Sequence, residues 1–77
     1  MNTIEFDDIE LEWHGNLPHD LIAIERLLRA EIRRCILPIK PAEMLGTYLV
    51  LCPWGSPIIY LYGQEGSEKF HCICFVP

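Results

Sequence analysis

The N-terminal segment alternates between apolar and polar positions, and the phase of the alternation changes once, at Asp7-Asp8. Alternation with period two is typical of a strand with one buried face. A β-bulge at the two aspartates would restore a single apolar face. We favour one bulged strand over a hairpin, because neither aspartate is the Gly or Asn that a tight hairpin turn prefers. The apolar positions are Ile4 and Phe6 in one phase and Ile9, Leu11 and Trp13 in the other.

A period of three to four residues replaces the alternation after the turn at His14-Gly15-Asn16. Pro18 suits the first position of a helix, which we expect to end before Pro38. Glu25 can pair with Arg29 one helical turn later. The apolar stripe predicted to face a sheet consists of Leu21, Ile24, Leu28, Ile32 and Cys35, with Leu17 and Leu27 at its margins.

Three segments rich in β-branched and aromatic residues follow a proline-containing connection over residues 37–46. They are Thr47–Cys52, Ile58–Tyr62 and Phe70–Val76, and turn-forming residues separate them. This pattern predicts an antiparallel three-stranded meander. The whole chain is therefore predicted to adopt a two-layer α+β fold of element order βαβββ, with one helix packed on an antiparallel sheet.

Both faces of the predicted sheet are apolar, whereas a sheet that one helix covers normally has one polar face. We expect the helix to cover an aliphatic set and to leave a tyrosine-rich set exposed. The aliphatic set is Leu49, Leu51, Ile59, Leu61, Cys72 and Cys74; the other is Tyr48, Val50, Tyr60, Tyr62, Ile73 and Phe75, with His71 as its polar member. Monomers rarely expose so much apolar surface. The 37–46 connection or a curled N-terminal strand, a second copy of the chain, or a different protein could cover it.

Charge is distributed unevenly along the chain, which carries a net charge of −5. Residues 1–20 contain no Lys or Arg but six acidic residues, namely Glu5, Asp7, Asp8, Glu10, Glu12 and Asp20. Because an acidic protein repels phosphate, we do not expect general nucleic-acid binding, and a basic protein surface is the better partner. The alternative is that these N-terminal acidic residues bind nothing and serve to prevent an edge strand from pairing with other chains.

Size and composition limit the kind of protein this can be. With 77 residues, of which 51% are hydrophobic, we expect a single folded domain over residues 1–77. Apolar runs are too short for a membrane span, and the first residues lack the features of a secretory signal. We expect a cytoplasmic protein that does not bind membranes.

Catalysis and metal binding receive little support from the cysteines. Cys35 falls at the negative C-terminal end of the predicted helix, and the other three cysteines fall in apolar strands, where thiols are poorly ionised. We therefore expect no enzymatic activity and no cofactor. A small zinc module formed by Cys35, Cys52, Cys72 and Cys74 remains an alternative, although the usual C-x2-C spacing is absent.

These features favour a protein that acts by binding another protein. In size, acidity and lack of catalytic residues the chain resembles the small inhibitors that phages encode against host machinery, including anti-CRISPR proteins; the likeness is one of composition. We expect an inhibitor or adaptor that occludes a basic or apolar surface of a larger complex, with a structural homodimer as the alternative. Trp54 adds an aromatic residue at a predicted hairpin tip. The candidate contact residues are Glu5, Asp7, Asp8, Glu10, Glu12, Tyr48, Trp54, Tyr60 and Tyr62.

Overall fold

One helix packs against one face of a five-stranded sheet. A computed structural model of the chain describes residues 2–17, 19–36, 39–51 and 58–75. A short 3₁₀ turn, Pro41–Glu43, lies in the connection after the helix. The helix α1 is Leu21–Ile36, and the strands are β1 (Asn2–Phe6), β2 (Ile9–His14), β3 (Thr47–Leu51), β4 (Ile58–Tyr62) and β5 (Phe70–Phe75).

The sheet has the order β1-β2-β5-β4-β3 and is mixed. β3, β4 and β5 form the predicted antiparallel meander, and β1 is antiparallel to β2. β2 and β5 are parallel, so the prediction of an antiparallel sheet is wrong. The α+β class is confirmed, but the element order is ββαβββ rather than βαβββ.

The N-terminal segment is a two-stranded hairpin, so the prediction of one bulged strand is wrong. Phe6 pairs with Ile9 across the two aspartates, and a two-residue turn of this kind puts both apolar phases on one face. No non-glycine residue in the described parts of the chain has a positive φ, so this is not the mirror-image turn that favours Gly or Asn. Tertiary contacts hold it instead: the Phe70 N–H donates to the Asp8 carbonyl at 2.7 Å, and Arg29 donates to the Asp8 carboxylate at 2.9 Å.

The helix begins at Leu21, three residues later than the predicted start at Pro18, which lies outside the described residues. Asp20 precedes the helix and caps it, since its carboxylate accepts a hydrogen bond from the Ala23 N–H at 3.0 Å. The predicted pair is present, with Arg29 donating to Glu25 at 3.1 Å. The apolar stripe is confirmed: Ile24 and Leu28 are buried, and Leu21, Leu27, Ile32 and Cys35 pack beside them, whereas Leu17 is exposed.

The core lies between α1 and the sheet face that the helix covers. Met44, from the connection after α1, is almost fully buried in the same cluster. The connection thus closes the helix side of the sheet, and the N-terminal strands extend the sheet sideways. The sequence left open whether the 37–46 connection or the N-terminal strand covers the second apolar face of the sheet. Within the described residues, neither of them does. No helix in this part of the chain has the length and apolar character needed to cross a membrane.

The core cluster consists of Ile9, Leu11, Trp13, Ile24, Leu28, Met44, Val50, Ile59, Leu61, Phe70, Cys72 and Cys74.

Candidate functional site

The sheet face opposite α1, which we call the open face, is the candidate site. Side chains alternate between faces, so the strand register decides which residues share it. One row of directly paired residues crosses the open face. It begins at Leu49 on β3, passes through Tyr60 on β4 and Ile73 on β5, and ends at Glu12 on β2. The open face thus changes from apolar to acidic across the width of the sheet.

The part of the open face on β3, β4 and β5, which we call the apolar half, consists of Leu49, Ile58, Tyr60, Ile73 and Phe75. Four of these side chains are exposed: Leu49 by 54%, Phe75 by 49%, Ile58 by 43% and Tyr60 by 40%. Tyr60 contacts Phe75 edge to face, with their ring centroids 6.1 Å apart. Such a continuous apolar surface, with Tyr at its centre, is typical of a protein contact site.

The part of the open face on β1 and β2, which we call the acidic half, carries Glu5, Glu10 and Glu12. Lys69 is close to Glu5, with Nζ 3.3 Å from Oε1. Four of the six Lys and Arg residues of the chain belong to α1, on the other side of the sheet. The open face thus carries three glutamates, whereas most of the positive charge of the chain lies on the helix.

Two histidines lie where the acidic half meets the apolar half. His71 stacks on Tyr62, with centroids 5.3 Å apart, and its Nδ1 is 3.5 Å from Glu10. His14 stacks on Phe75 at 4.8 Å, and its Nε2 is 3.4 Å from Glu12. Each imidazole thus contacts both a glutamate and an aromatic ring.

Tyr62 is less available than Tyr60. Its ring is half-buried against His71, and burial, followed by the charges of Glu12 and Glu10, raises the pKa of its phenol. Tyr62 therefore stays neutral at physiological pH and can donate a hydrogen bond to a partner.

The predicted faces are wrong for β3. The predicted aliphatic face requires Leu49 to pair with Ile59 or Leu61 on the neighbouring strand. In the structure Ile59 pairs with Val50. A shift of one residue moves every side chain of a strand to the other face. Tyr48 consequently packs on the helix side against the core, and Leu49 takes its place on the open face.

The remaining candidates separate into different environments. Glu5, Glu10, Glu12, Tyr60 and Tyr62 share the open face. Asp7 is exposed in the β1–β2 turn. Asp8, next to it, accepts hydrogen bonds from Arg29 through its carboxylate and from the Phe70 N–H through its carbonyl. Trp54 lies outside the described residues.

A chain of contacts through Ser67, His71 and Glu10 escaped the sequence analysis. Ser67 Oγ is 2.8 Å from His71 Nε2, which gives the order of groups found in a serine hydrolase. Ser67 Oγ also accepts the Lys69 N–H at 3.2 Å, so the hydroxyl holds its own turn. We interpret the three groups as fixing the β4–β5 connection to the sheet.

The cysteines that the structure describes lie on the helix side. Cys72 and Cys74 are buried there, whereas His71 lies on the other face of the sheet, as alternation along the strand predicts. Burial, with a smaller contribution from Cys74, raises the pKa of the Cys72 thiol to about 12. Cys52, a member of the predicted zinc set, lies outside the described residues. Within those residues no group of three or more His, Cys, Asp or Glu side chains is placed to hold a metal ion.

Comparisons with known proteins give no relative from which a role could be transferred. The chain matches no protein-family model, and neither curated proteins nor solved structures gave a significant match.

Proposed function

We propose that this protein is a small inhibitor or adaptor that binds another protein through its open face. The observation that carries the proposal is the exposure of Leu49, Ile58, Tyr60 and Phe75 on a surface that the described parts of the chain leave uncovered. Burying such side chains would contribute about 25 cal/mol per Å² of apolar area before the costs of association.

The charge on the same face supports a basic partner. Glu5, Glu10 and Glu12 lie beside the apolar half, so the complementary surface has an apolar stripe flanked by Lys or Arg. An amphipathic basic segment of a larger protein meets this description. Phage inhibitors of host defence, which the chain resembles in size and acidity, would be one setting for such occlusion.

A second copy fits the open face less well. In a face-to-face pair, the glutamates of one copy must avoid those of the other, because like charges in contact oppose association. Copies that instead join the acidic face of one to the basic helix of the next would form an open chain rather than a closed dimer.

A leucine–lysine peptide designed as an amphipathic helix is a suitable probe for this face. We expect saturable binding, measured by fluorescence anisotropy of the labelled peptide. Replacing Glu12 with Lys should weaken it about tenfold, or roughly 1.4 kcal/mol, because a repulsive contact replaces an attractive one. Replacing Tyr60 with Ser should weaken it similarly through loss of apolar contact area.

Matched controls separate the open face from general attraction to an acidic protein. Glu65→Lys makes the same charge change in the exposed β4–β5 connection, and Leu45→Ser removes an apolar side chain that is 77% exposed outside the sheet. Both variants should bind the peptide as the parent does. Equal weakening in Glu12→Lys and Glu65→Lys would contradict the proposal. A stable dimer in light scattering that Tyr60→Ser dissociates would assign the face to a second copy instead.

A further inference from the structure

A cavity of about 220 Å³ opens on the helix side of the molecule, between α1 and the β1–β2 turn. This site is separate from the open face and plays no part in the proposed function. Its apolar lining comes from Ile9, Ile32, Ile39 and Phe70, and its polar lining comes from Asp8, Arg29 and Arg33. A mostly apolar cavity with a few charged groups is typical of a small-molecule site.

The two arginines of the cavity differ in what they can still bind. The Arg29 guanidinium donates to Glu25 at 3.1 Å and to Asp8 at 2.9 Å, and these hydrogen bonds raise its pKa. Its charge is thus already balanced by two carboxylates. Arg33 is exposed, and no carboxylate in the described part of the chain lies within ion-pair distance of it. Arg33 therefore leaves a positive charge beside an apolar surface.

We infer that this cavity binds a small apolar monocarboxylate, with the carboxylate on Arg33 and the apolar body against Ile9 and Phe70. The volume suffices for one aromatic ring, since an apolar cavity of about 150 Å³ holds benzene. A single negative charge is favoured over a phosphate, because the Asp8 carboxylate also lines the cavity and repels a second charge. The planar guanidinium matches the two oxygens of a carboxylate.

Benzoate is the probe, titrated into the isotopically labelled protein while amide chemical shifts are recorded. The expected result is saturable shifts confined to residues around the cavity, such as Ile32, Ile39 and Phe70. Benzamide, which has the same shape without the charge, should bind about tenfold more weakly, as expected for loss of a charge-assisted hydrogen bond. Inorganic phosphate, which lacks an apolar body, should leave these amides unchanged.

Arg33→Gln should weaken benzoate binding about tenfold. Arg26→Gln is the matched control, because Arg26 is also exposed on α1 but does not line the cavity. Absence of saturable shifts, equal affinity for benzoate and benzamide, or an equal loss in both arginine variants would each overturn the inference. Because neither arginine lies on the open face, these outcomes are independent of peptide binding there.

Discussion

Replacing Gly63 with alanine is expected to destabilise the protein by about 3 kcal/mol or more. A Cβ at this position would overlap the carbonyl group of Met44. The obstacle is backbone, and Met44 is held by its buried side chain, so neither partner can move away without disturbing the core. Urea unfolding followed by circular dichroism measures the change in the free energy of unfolding.

Gly66→Ala is the control for this effect in the same connection. Gly66 has a φ of 80°, but nothing lies within 4 Å of the Cβ that alanine would add. Its substitution should therefore cost only the backbone strain, about 1–2 kcal/mol. If Gly63→Ala lowers the free energy of unfolding no more than Gly66→Ala does, the close approach of the Met44 carbonyl to Gly63 is not formed.

Alkaline pH is expected to unfold the protein through the buried thiol of Cys72. Burial raises the pKa of this thiol from 9.0 to about 12, so the folded state keeps a proton that the unfolded state releases. The stabilisation from this group is complete below pH 9 and is lost as pH rises from about 9 to 12. The slope approaches 1.4 kcal/mol per pH unit, and the total loss is up to about 4 kcal/mol.

A domain of this size has only a few kcal/mol of stability, so this loss should be enough to unfold it. Cys72→Ala lowers stability at neutral pH but should flatten the dependence on pH, and the comparison of slopes isolates the thiol. Tyr62→Phe should remove only a smaller part of the slope, since the raised pKa of Tyr62 acts in the same direction. An identical slope in the parent and in Cys72→Ala would contradict this explanation.

Local patterns predicted the secondary structure better than the pairing of strands. The helix stripe follows from side-chain periodicity, and the three C-terminal strands follow from the β-branched and aromatic residues of each segment. The N-terminal hairpin does not, because its turn is held by Phe70 and Arg29, which are distant in sequence. Parallel pairing of β2 with β5 is likewise a contact between the two ends of the chain, and no local residue signals it.

The composition of the candidate site was predictable only in part. Alternation along β4 placed Tyr60 and Tyr62 on the face away from the helix, and alternation along β2 placed Glu10 and Glu12 on the side opposite the apolar residues of that strand; the structure has both arrangements. The exchange of Tyr48 for Leu49 follows from the register of β3 with β4, which the sequence of β3 does not reveal because both of its faces are apolar.

The histidine contacts between the two halves also required the structure. His14 reaches Phe75, and Glu10 reaches His71, only because β2 and β5 are neighbours.

The most direct test of the open face is to map the leucine–lysine peptide on the labelled protein by amide chemical shifts. If the open face is the docking surface, shifts should be largest around Leu49, Tyr60, Ile73 and Glu12, and small on the exposed side of α1 around Ile22 and Arg26. Shifts centred on α1, or none that saturate, would contradict the assignment of this face to a basic, apolar protein partner.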